Sequence, residues 1–429
     1  MLFAGKIRQV ADGVVRLGDE LASVDMVRTS RGWVRVGAMP EIAKLARATR
    51  IASHYVVVRP GRLTEVGDGI TGEEFICWSS INAAMFAGEY LGSPADLQIL
   101  RQYLEPAVPY FFDEEQLHIV RRDWLETLYY PQPLDGGGVR RFGAVEIRVT
   151  GELVEIREGS TRLYRGGCSD PAEVARRVDE ALARIPRDEK PADRLELLVV
   201  GSGNGHATNA SSFLLRYADR RVWLDPSARP HETLGAVGVH WDDVTDVVIS
   251  HIHEDHWGGL TACLARARRL HRKIRLYATR ESLAALQLRL GDRVPDWAAL
   301  VDFHAVAPGQ RVRIGEADWE FRLNHHILPS GTLGLKVRLD GRCLGISGDT
   351  KYDEAILARL GHSELTAEWF ADCHLVFHEV ELARPWAVHS FFPEVEKLAQ
   401  KIPGRLVVYH TAGNTKPLEM AQDGRWYPV

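Results

Sequence analysis

The chain has 429 residues, of which 45% are hydrophobic and 26% charged, enough for two or three domains with ordinary cores. Its formal net charge of −5 excludes a global basic field that would attract nucleic acid or an anionic membrane. The start of the chain has no signal-peptide pattern, no apolar stretch is long enough to span a bilayer, and the five cysteines form no Cys-x-x-Cys. We therefore expect a cytoplasmic protein with reduced cysteines and no membrane association.

Residues 1–190 are predicted to form an α+β accessory domain of unknown role. Alternating apolar residues predict strands, and apolar residues at helical spacing predict helices. The predicted strands are Val14 to Leu17, Trp33 to Val36, His54 to Val58, and a hairpin of Val145 to Ile156 with Thr161 to Tyr164. The predicted helices are Ile81 to Leu91, Pro94 to Leu104 and Pro171 to Ile185.

This part of the chain shows no obvious catalytic constellation. Cys77 has no assignable partner and is better explained as a packed thiol, and His118 is better explained as a core or surface residue. A contact with a substrate or a protein partner stays open for four aromatic residues: Phe111, Phe112, Tyr129 and Tyr130. The charged, proline-flanked stretch Pro186 to Pro191 predicts a boundary, so that a second domain covers residues 193–429.

The second domain opens with an apolar strand, Leu195 to Val200, and a glycine-rich turn. His206 in that turn could face a site, although a loop histidine is the simpler interpretation. A third strand ends at Asp225, and a fourth, Asp246 to Ser250, leads into the central motif. That motif places four candidate metal ligands within six positions, His251, His253, Asp255 and His256. Imidazole and carboxylate are ligands that Zn²⁺ and similar metals prefer.

Further candidate ligands follow apolar strands downstream. One of the neighbouring pair His325 and His326 should point inward, because successive side chains of an extended chain face opposite sides. The other candidates stand in or after the strands that follow: Asp349 in Gly-Asp-Thr, His378 and Glu379, His389, and His410.

The motif His251-x-His253-x-Asp255-His256 resembles the signature of the metallo-β-lactamase superfamily, and the strand-end order farther along resembles its tRNase Z-like phosphodiesterase branch. The resemblance covers about residues 193–429 and implies an αββα sandwich, so the fold class is α/β, preceded by the α+β domain. It implies two divalent metal ions, zinc first, with manganese or iron as alternatives. The implied metal ligands are His251, His253, Asp255, His256, His326, Asp349 and His410. His326 is favoured over His325 because its spacing to the stretch Gly334 to Val337 is closer to the family pattern.

The resemblance also implies roles beyond ligation. Asp225 would hold the metal-bearing loop, and Asp349 would bind both metals. His378, oriented by Glu379, and His389 would meet the phosphate, and His378 would protonate the leaving group. The expected catalytic residues are Asp255, His378, Glu379 and His389.

The expected function is hydrolysis of a small phosphodiester, a cyclic nucleotide or a short nucleic acid. Glu254 stands where the tRNase Z pattern has glycine, only a short strand pair separates His326 from Asp349, and the chain is not basic, so tRNA is disfavoured. Lactone, ester or thioester hydrolysis, iron-dependent redox chemistry and a non-enzymatic interaction role stay as alternatives. The sequence also leaves open a homodimer and a protein partner for the accessory domain.

Overall fold

The computed structural model describes most of the chain in two compact units. The described residues are 7–18, 23–37, 51, 53–58, 64–67, 89–107, 129–167, 171–188, 191–205, 209–326, 331–359, 367–383, 389–411 and 413–429. Unit 1 comprises Met1–Ala181, Leu260–Leu270 and Gln287–Pro295, and unit 2 comprises Leu182–Gly259, His271–Leu286 and Asp296–Val429. The predicted boundary at residues 190–193 lies near the first of these divisions, and unit 1 also takes two segments from the second half of the sequence. Cys77, Phe111, Phe112, His118 and His206 lie outside the described residues.

The first unit holds two sheets. Seven strands lie in sequence order, β1 (Ile7–Ala11), β2 (Val14–Gly18), β3 (Ser23–Thr29), β4 (Gly32–Val36), β5 (Tyr55–Val57), β6 (Glu89–Gly92) and β7 (Tyr130–Pro133). A four-stranded antiparallel meander follows, β8 (Val139–Phe142), β9 (Val145–Thr150), β10 (Leu153–Glu158) and β11 (Thr161–Gly167). Apolar residues of both sheets, such as Val27, Leu91 and Ile156, share one buried cluster.

Nine α-helices lie among the described residues. They are α1 (Pro94–Ala107), α2 (Pro171–Leu182), α3 (Pro230–Ala236), α4 (Glu254–Trp257), α5 (Leu260–Arg269), α6 (Arg280–Leu290), α7 (Trp297–Leu300), α8 (Glu354–Arg359) and α9 (Phe392–Ala399). No described helix combines the length and the apolarity needed to cross a membrane.

The second unit contains two seven-stranded sheets. The first has the order β17-β16-β15-β14-β13-β12-β25 and consists of β12 (Ala192–Gly201), β13 (Ser212–Ala218), β14 (Arg220–Leu224), β15 (Asp246–Val248), β16 (Ile274–Ala278), β17 (Val301–Ala305) and β25 (Trp426–Pro428). The second runs in sequence order through β18 (Arg311–Ile314), β19 (Ala317–Asn324), β20 (Thr332–Leu339), β21 (Arg342–Ile346), β22 (Leu375–Glu379), β23 (Arg405–Tyr409) and β24 (Glu419–Met420).

The two sheets of unit 2 enclose a single apolar core. Phe213 of the first sheet meets Phe377 and Tyr409 of the second, with ring centroids 5.6 and 5.0 Å apart. Burying one such side chain contributes about 1.5–3 kcal/mol, so the packing of this layer stabilises unit 2. Helix α9 covers the other face of the second sheet through Val395 and Leu398. The predicted α/β sandwich is confirmed.

The strand directions place the predicted site residues at one edge of each sheet. Strands β14 to β17 are parallel, as are β21 to β24, so their carboxyl ends lie together. Asp225, the central motif, Asp349 and His410 all follow these ends. Strand β19 runs the same way as β21, because β20 is antiparallel to both, and it brings His326 to the same edge.

Two predicted elements of the N-terminal half differ from the structure. The predicted helix Ile81 to Leu91 ends in strand β6, and residues 81–88 lie outside the described part. Strand β6 is paired on both sides, with β5 and β7, and this tertiary pairing overrides the local helical pattern. The predicted strand Val145 to Ile156 is two strands, β9 and β10, separated by Gly151 at φ +57°.

Candidate metal centre

Three histidine nitrogens form the first half of the centre. His253 Nδ1 lies 3.1 Å from His251 Nε2 and 3.3 Å from His326 Nε2. Two ligands at about 2.0–2.1 Å from a tetrahedral Zn²⁺ stand roughly 3.3 Å apart, so these separations are those of a ligand set. A neutral imidazole nitrogen is either a donor or an acceptor, so one nitrogen facing two others fits a shared cation better than two hydrogen bonds.

Asp255, His256 and His410 form the second half, and Asp349 lies between the two halves. Asp349 Oδ2 is 3.4 Å from Nε2 of both His256 and His410. It is 3.9 Å from Nε2 of both His251 and His326. His256 Nε2 also lies 3.5 Å from Asp255 Oδ2. One carboxylate oxygen therefore faces four imidazoles, as a ligand shared by two cations would.

Two buried atoms at the centre have no hydrogen-bond partner, His256 Nε2 and Asp349 Oδ1. Each of these residues is only 1% exposed. A buried polar atom without a partner costs roughly 1–3 kcal/mol, and a coordinated cation would remove that cost. These side chains therefore fit a metal, and together they offer it nitrogen and carboxylate oxygen.

Burial and charge set the protonation of these groups. Burial lowers the pKa of His251 and His253, and it lowers that of His410 to about 4, so these rings are neutral and able to bind metal at pH 7. Burial also acts to lower the pKa of His256, but Asp255, Asp349 and Asp225 outweigh it and raise that pKa well above its usual value. The carboxylates around His256 thus favour positive charge at this position.

Asp225 orients His256 directly and His251 through Ser250. It accepts hydrogen bonds of 2.7 Å from both the backbone N–H and the hydroxyl of Ser250, and its Oδ2 lies 2.9 Å from His256 Nδ1. Ser250 Oγ is in turn 3.0 Å from His251 Nδ1. Both histidines therefore present Nε2 to the centre, the arrangement in which an outer carboxylate fixes the tautomer of a metal ligand.

Asn324 and Gly348 shape the loop that carries Asp349. The Asn324 amide donates to the carbonyl oxygens of Asp349, at 3.0 Å, and of Ser347. Gly348 has φ +61°, and a Cβ there would lie 2.4 Å from the Leu333 carbonyl oxygen, so a side chain is excluded. Neither Ser250 nor Asn324 was predicted from the sequence. The only available signal was that Ser250 precedes His251 by one position and Asn324 precedes His326 by two.

Glu379 contacts His389, and the predicted pairing of Glu379 with His378 is wrong. His389 Nδ1 lies 3.2 and 3.3 Å from the two Glu379 carboxylate oxygens. His378 Nδ1 instead lies 2.8 Å from the backbone carbonyl oxygen of Glu379. The His378 ring packs 6.0 Å from Tyr352 and 6.2 Å from Phe370. Neighbouring residues of strand β22 face opposite sides of the sheet, so only Glu379 points to the site.

The Glu379–His389 pair stands beside both halves of the centre. The His389 ring lies 5.1 Å from the His326 ring and 4.8 Å from the His410 ring. Burial raises the pKa of Glu379 to about 7. Burial acts to lower the pKa of His389, but the Glu379 carboxylate outweighs it and raises the value to about 9. His389 is therefore a positively charged donor beside the candidate ligands.

Comparison with known proteins identifies the family. The sequence model described as anti-Pycsar protein Apyc1 matches residues 195–426, more than half of the chain. The chain belongs to the Apyc1 family. The anti-Pycsar protein Apyc1 of Paenibacillus xerothermodurans is 23% identical over 235 residues, which are 50% of this chain and 87% of the relative.

Solved structures with a metallo-β-lactamase fold are similar over about half of the chain. YhfI of Bacillus subtilis is 17% identical, with a TM-score of 0.45, over 55% of this chain and 100% of its own. Human tRNase Z, short form, is 16% identical, with a TM-score of 0.44, over 55% of this chain and 99% of its own.

The predicted fold and the prediction of a metal-dependent hydrolase are confirmed for this member of the Apyc1 family. The structure brings together the seven predicted ligands, with Glu379 and His389 beside them. It places His326 in the centre, whereas the backbone carbonyl of His325 accepts a hydrogen bond from the Lys351 N–H at 2.6 Å. Tyr129 is buried and its hydroxyl donates to the Leu97 carbonyl oxygen, which is a packing role.

Proposed function

We propose that this protein is a binuclear metallophosphodiesterase that cleaves a cyclic nucleotide. His251, His253 and His326 would hold one metal, Asp255, His256 and His410 would hold the other, and Asp349 would be shared. The observation that carries the proposal is the position of Asp349 Oδ2, 3.4–3.9 Å from four histidine nitrogens. Zinc is the proposed metal, because histidine nitrogen dominates the ligand set. Manganese or iron in its place is tested by metal analysis.

The proposed substrate is a small phosphodiester rather than a folded RNA. The Apyc1 family degrades cyclic nucleotides. The net charge of −5 supplies no broad basic surface for a polyanion, and a small phosphodiester needs none. The ligands His251, His256, Asp349 and His410 are at most 6% exposed, which suits a compact phosphate group. We further propose a cytoplasmic location, in keeping with three described cysteines that are not joined in disulfides.

Two divalent cations held here would lower the pKa of water towards neutrality and offset the charge that builds on the non-bridging phosphate oxygens. The protein's own groups supply positioning and proton transfer. Asp255, in the first turn of helix α4, would accept the proton of the attacking water. His389, held by Glu379 through Nδ1, would donate its Nε2 proton to the leaving alkoxide oxygen.

The test is a substrate panel on the full chain. Metal content is measured on the purified protein, and hydrolysis is followed with cyclic mononucleotides, cyclic dinucleotides, linear dinucleotides and lactones. We expect bound metal, cleavage of a cyclic nucleotide, and loss of both on chelation. A metal-loaded protein that opens lactones and leaves every phosphodiester intact would contradict the proposal.

The matched control is His304→Ala. His304 Nε2 lies 3.2 Å from Asp302 Oδ2, so this pair repeats the histidine–carboxylate contact of His389 and Glu379. The pair stands on strand β17 with side chains 41% and 54% exposed, and neither residue belongs to the candidate ligand groups. We expect His304→Ala to keep the metal content and the activity of the wild type.

A further inference from the structure

A pair of buried cysteines lies at the amino ends of two neighbouring strands of the second sheet. Cys343 belongs to β21, and Cys373 precedes β22 by two positions. The two Sγ atoms are 3.1 Å apart, and each residue is 3% exposed. The backbone holds them in register, because the His374 N–H donates to the Cys343 carbonyl oxygen at 2.8 Å. A disulfide has an S–S length of about 2.05 Å, so about 1 Å of approach would close one.

The surroundings favour a thiolate at this pair over a bound cation. Asp372 also lies next to the sulfurs, but Lys336, at 2.6 Å, and Arg338, at 2.7 Å, already neutralise its carboxylate. A metal ion here would have two positive side chains as neighbours. The contact with the Cys373 thiol, aided by Arg338 and Lys336, lowers the pKa of Cys343, and the same contact raises the pKa of Cys373. A thiolate facing a thiol is the reactive form of a cysteine pair.

A cavity gives small molecules access to this region. It has a volume of about 480 Å³ and is lined by Cys373, His374, Arg342 and Arg405, among other residues. A hydroperoxide is small enough to enter the cavity. A low-mass disulfide such as oxidised glutathione has an arm thin enough to enter.

We propose that Cys343 and Cys373 form a reversible dithiol–disulfide site. With hydrogen peroxide as oxidant, one thiolate attacks an oxygen, the O–O bond breaks, and a water leaves with the proton. The resulting sulfenic acid is attacked by the second sulfur, which forms the S–S bond and expels a second water. Two thiols and one peroxide thus give one disulfide and two waters. With a low-mass disulfide, two exchange steps release two molecules of the low-mass thiol.

The bond would stabilise the fold and leave the metal centre in place. Cys343 is the second residue of β21, whereas Asp349 follows the carboxyl end of that strand by three positions. The pair thus lies at the far end of the strand whose carboxyl end leads to the ligand. A bond between residues 343 and 373 would close a loop of about 30 residues, which restricts the unfolded chain. We expect Tm to rise on oxidation by at least about 5 °C and kcat to change by less than about twofold.

The experiment uses the full-length, metal-loaded protein. It is equilibrated in oxidised and reduced glutathione over a range of ratios, quenched with N-ethylmaleimide, and analysed by intact mass and peptide mapping. Oxidation should remove two alkylation sites and yield one cross-linked peptide pair that contains Cys343 and Cys373, reversed by dithiothreitol. Alkylation of both cysteines at every ratio would overturn the proposal, as would over-oxidation of either one without a cross-link.

Two variants provide the controls. Cys343→Ser should abolish the cross-link and the redox-dependent shift in Tm. Cys263→Ser, which removes a buried thiol of unit 1, should keep both. A shift in Tm that persists in Cys343→Ser, or a cross-link that involves Cys263, would refute the assignment. The peptide map of the wild type needs no variant, so an unstable Cys343→Ser would not prevent the test.

Discussion

Replacement of His389 by alanine tests the proposed proton donor. The Nδ1 atom of His389 is fixed 3.2 Å from Glu379, and its ring lies 4.8 Å from the His410 ring, beside the candidate ligands. A positioned general acid contributes about 10²–10⁴ in rate, which is about 3–5.5 kcal/mol of barrier. We expect His389→Ala to lose this much on a diester with an alkoxide leaving group, while its metal content stays at the wild-type level.

The leaving group separates acid catalysis from other roles. A nitrophenolate leaves readily without a proton, so the loss in His389→Ala should shrink to about tenfold or less on a nitrophenyl diester. His378→Gln serves as the second variant, because its amide can still donate to the Glu379 carbonyl oxygen that His378 contacts at 2.8 Å. It should lose less than about tenfold on either substrate.

The assay measures kcat and KM for both substrates, with metal content determined in parallel. Equal losses on the two substrates would refute an acid role for His389. A loss of metal in His389→Ala would make this residue a ligand. A large, leaving-group-dependent loss in His378→Gln with no such loss in His389→Ala would return the acid to the position that the sequence favoured.

Three further predictions concern the ligands and the fold. Asp349→Ala should bind less metal than the wild type by elemental analysis, and an unchanged metal content would show that this carboxylate is not shared. Glu65→Gln should lower the free energy of unfolding in urea by roughly 3 kcal/mol, because it leaves the 3%-exposed Arg266 without its buried carboxylate at 2.9 Å. Asp179→Asn, whose side chain is 48% exposed, should cost at most about 1 kcal/mol, and equal losses would contradict the argument from burial. Burial acts to raise the pKa of Glu196, but ion pairs led by Arg216 outweigh it and lower the pKa overall. The contribution of Glu196 to the free energy of unfolding is therefore complete above the ordinary glutamate pKa of about 4.3 and is lost as the pH falls below it. Glu196→Gln should flatten stability against pH on that acid side in urea titrations, and a curve parallel to that of the wild type would argue otherwise.

The sequence by itself determined the chemistry of the centre. His251, His253, Asp255 and His256 are compressed into one strand-to-helix loop, and metal-ligand types recur at later strand ends. Apolar runs predicted those strands, and parallel strands place their carboxyl ends at one edge of a sheet, so the convergence of the ligands followed from local patterns. The alternation of side chains along an extended chain similarly allowed only one of His325 and His326 to point inward.

Only the tertiary structure decided which side chains meet across strands. Glu379 contacts His389, ten positions away in the sequence, rather than the adjacent His378. Because successive side chains of a strand point to opposite faces, Glu379 and His378 cannot share a face. This alternation does not identify the residue of another segment that Glu379 contacts. Helix α5 likewise contacts Glu65 and Asp179 through Arg266, although about 200 residues separate Glu65 from it in the sequence. Local periodicity predicts which face of an element is apolar. An ion pair or a contact between two thiols depends instead on how distant segments pack, and no local sequence pattern encodes that packing.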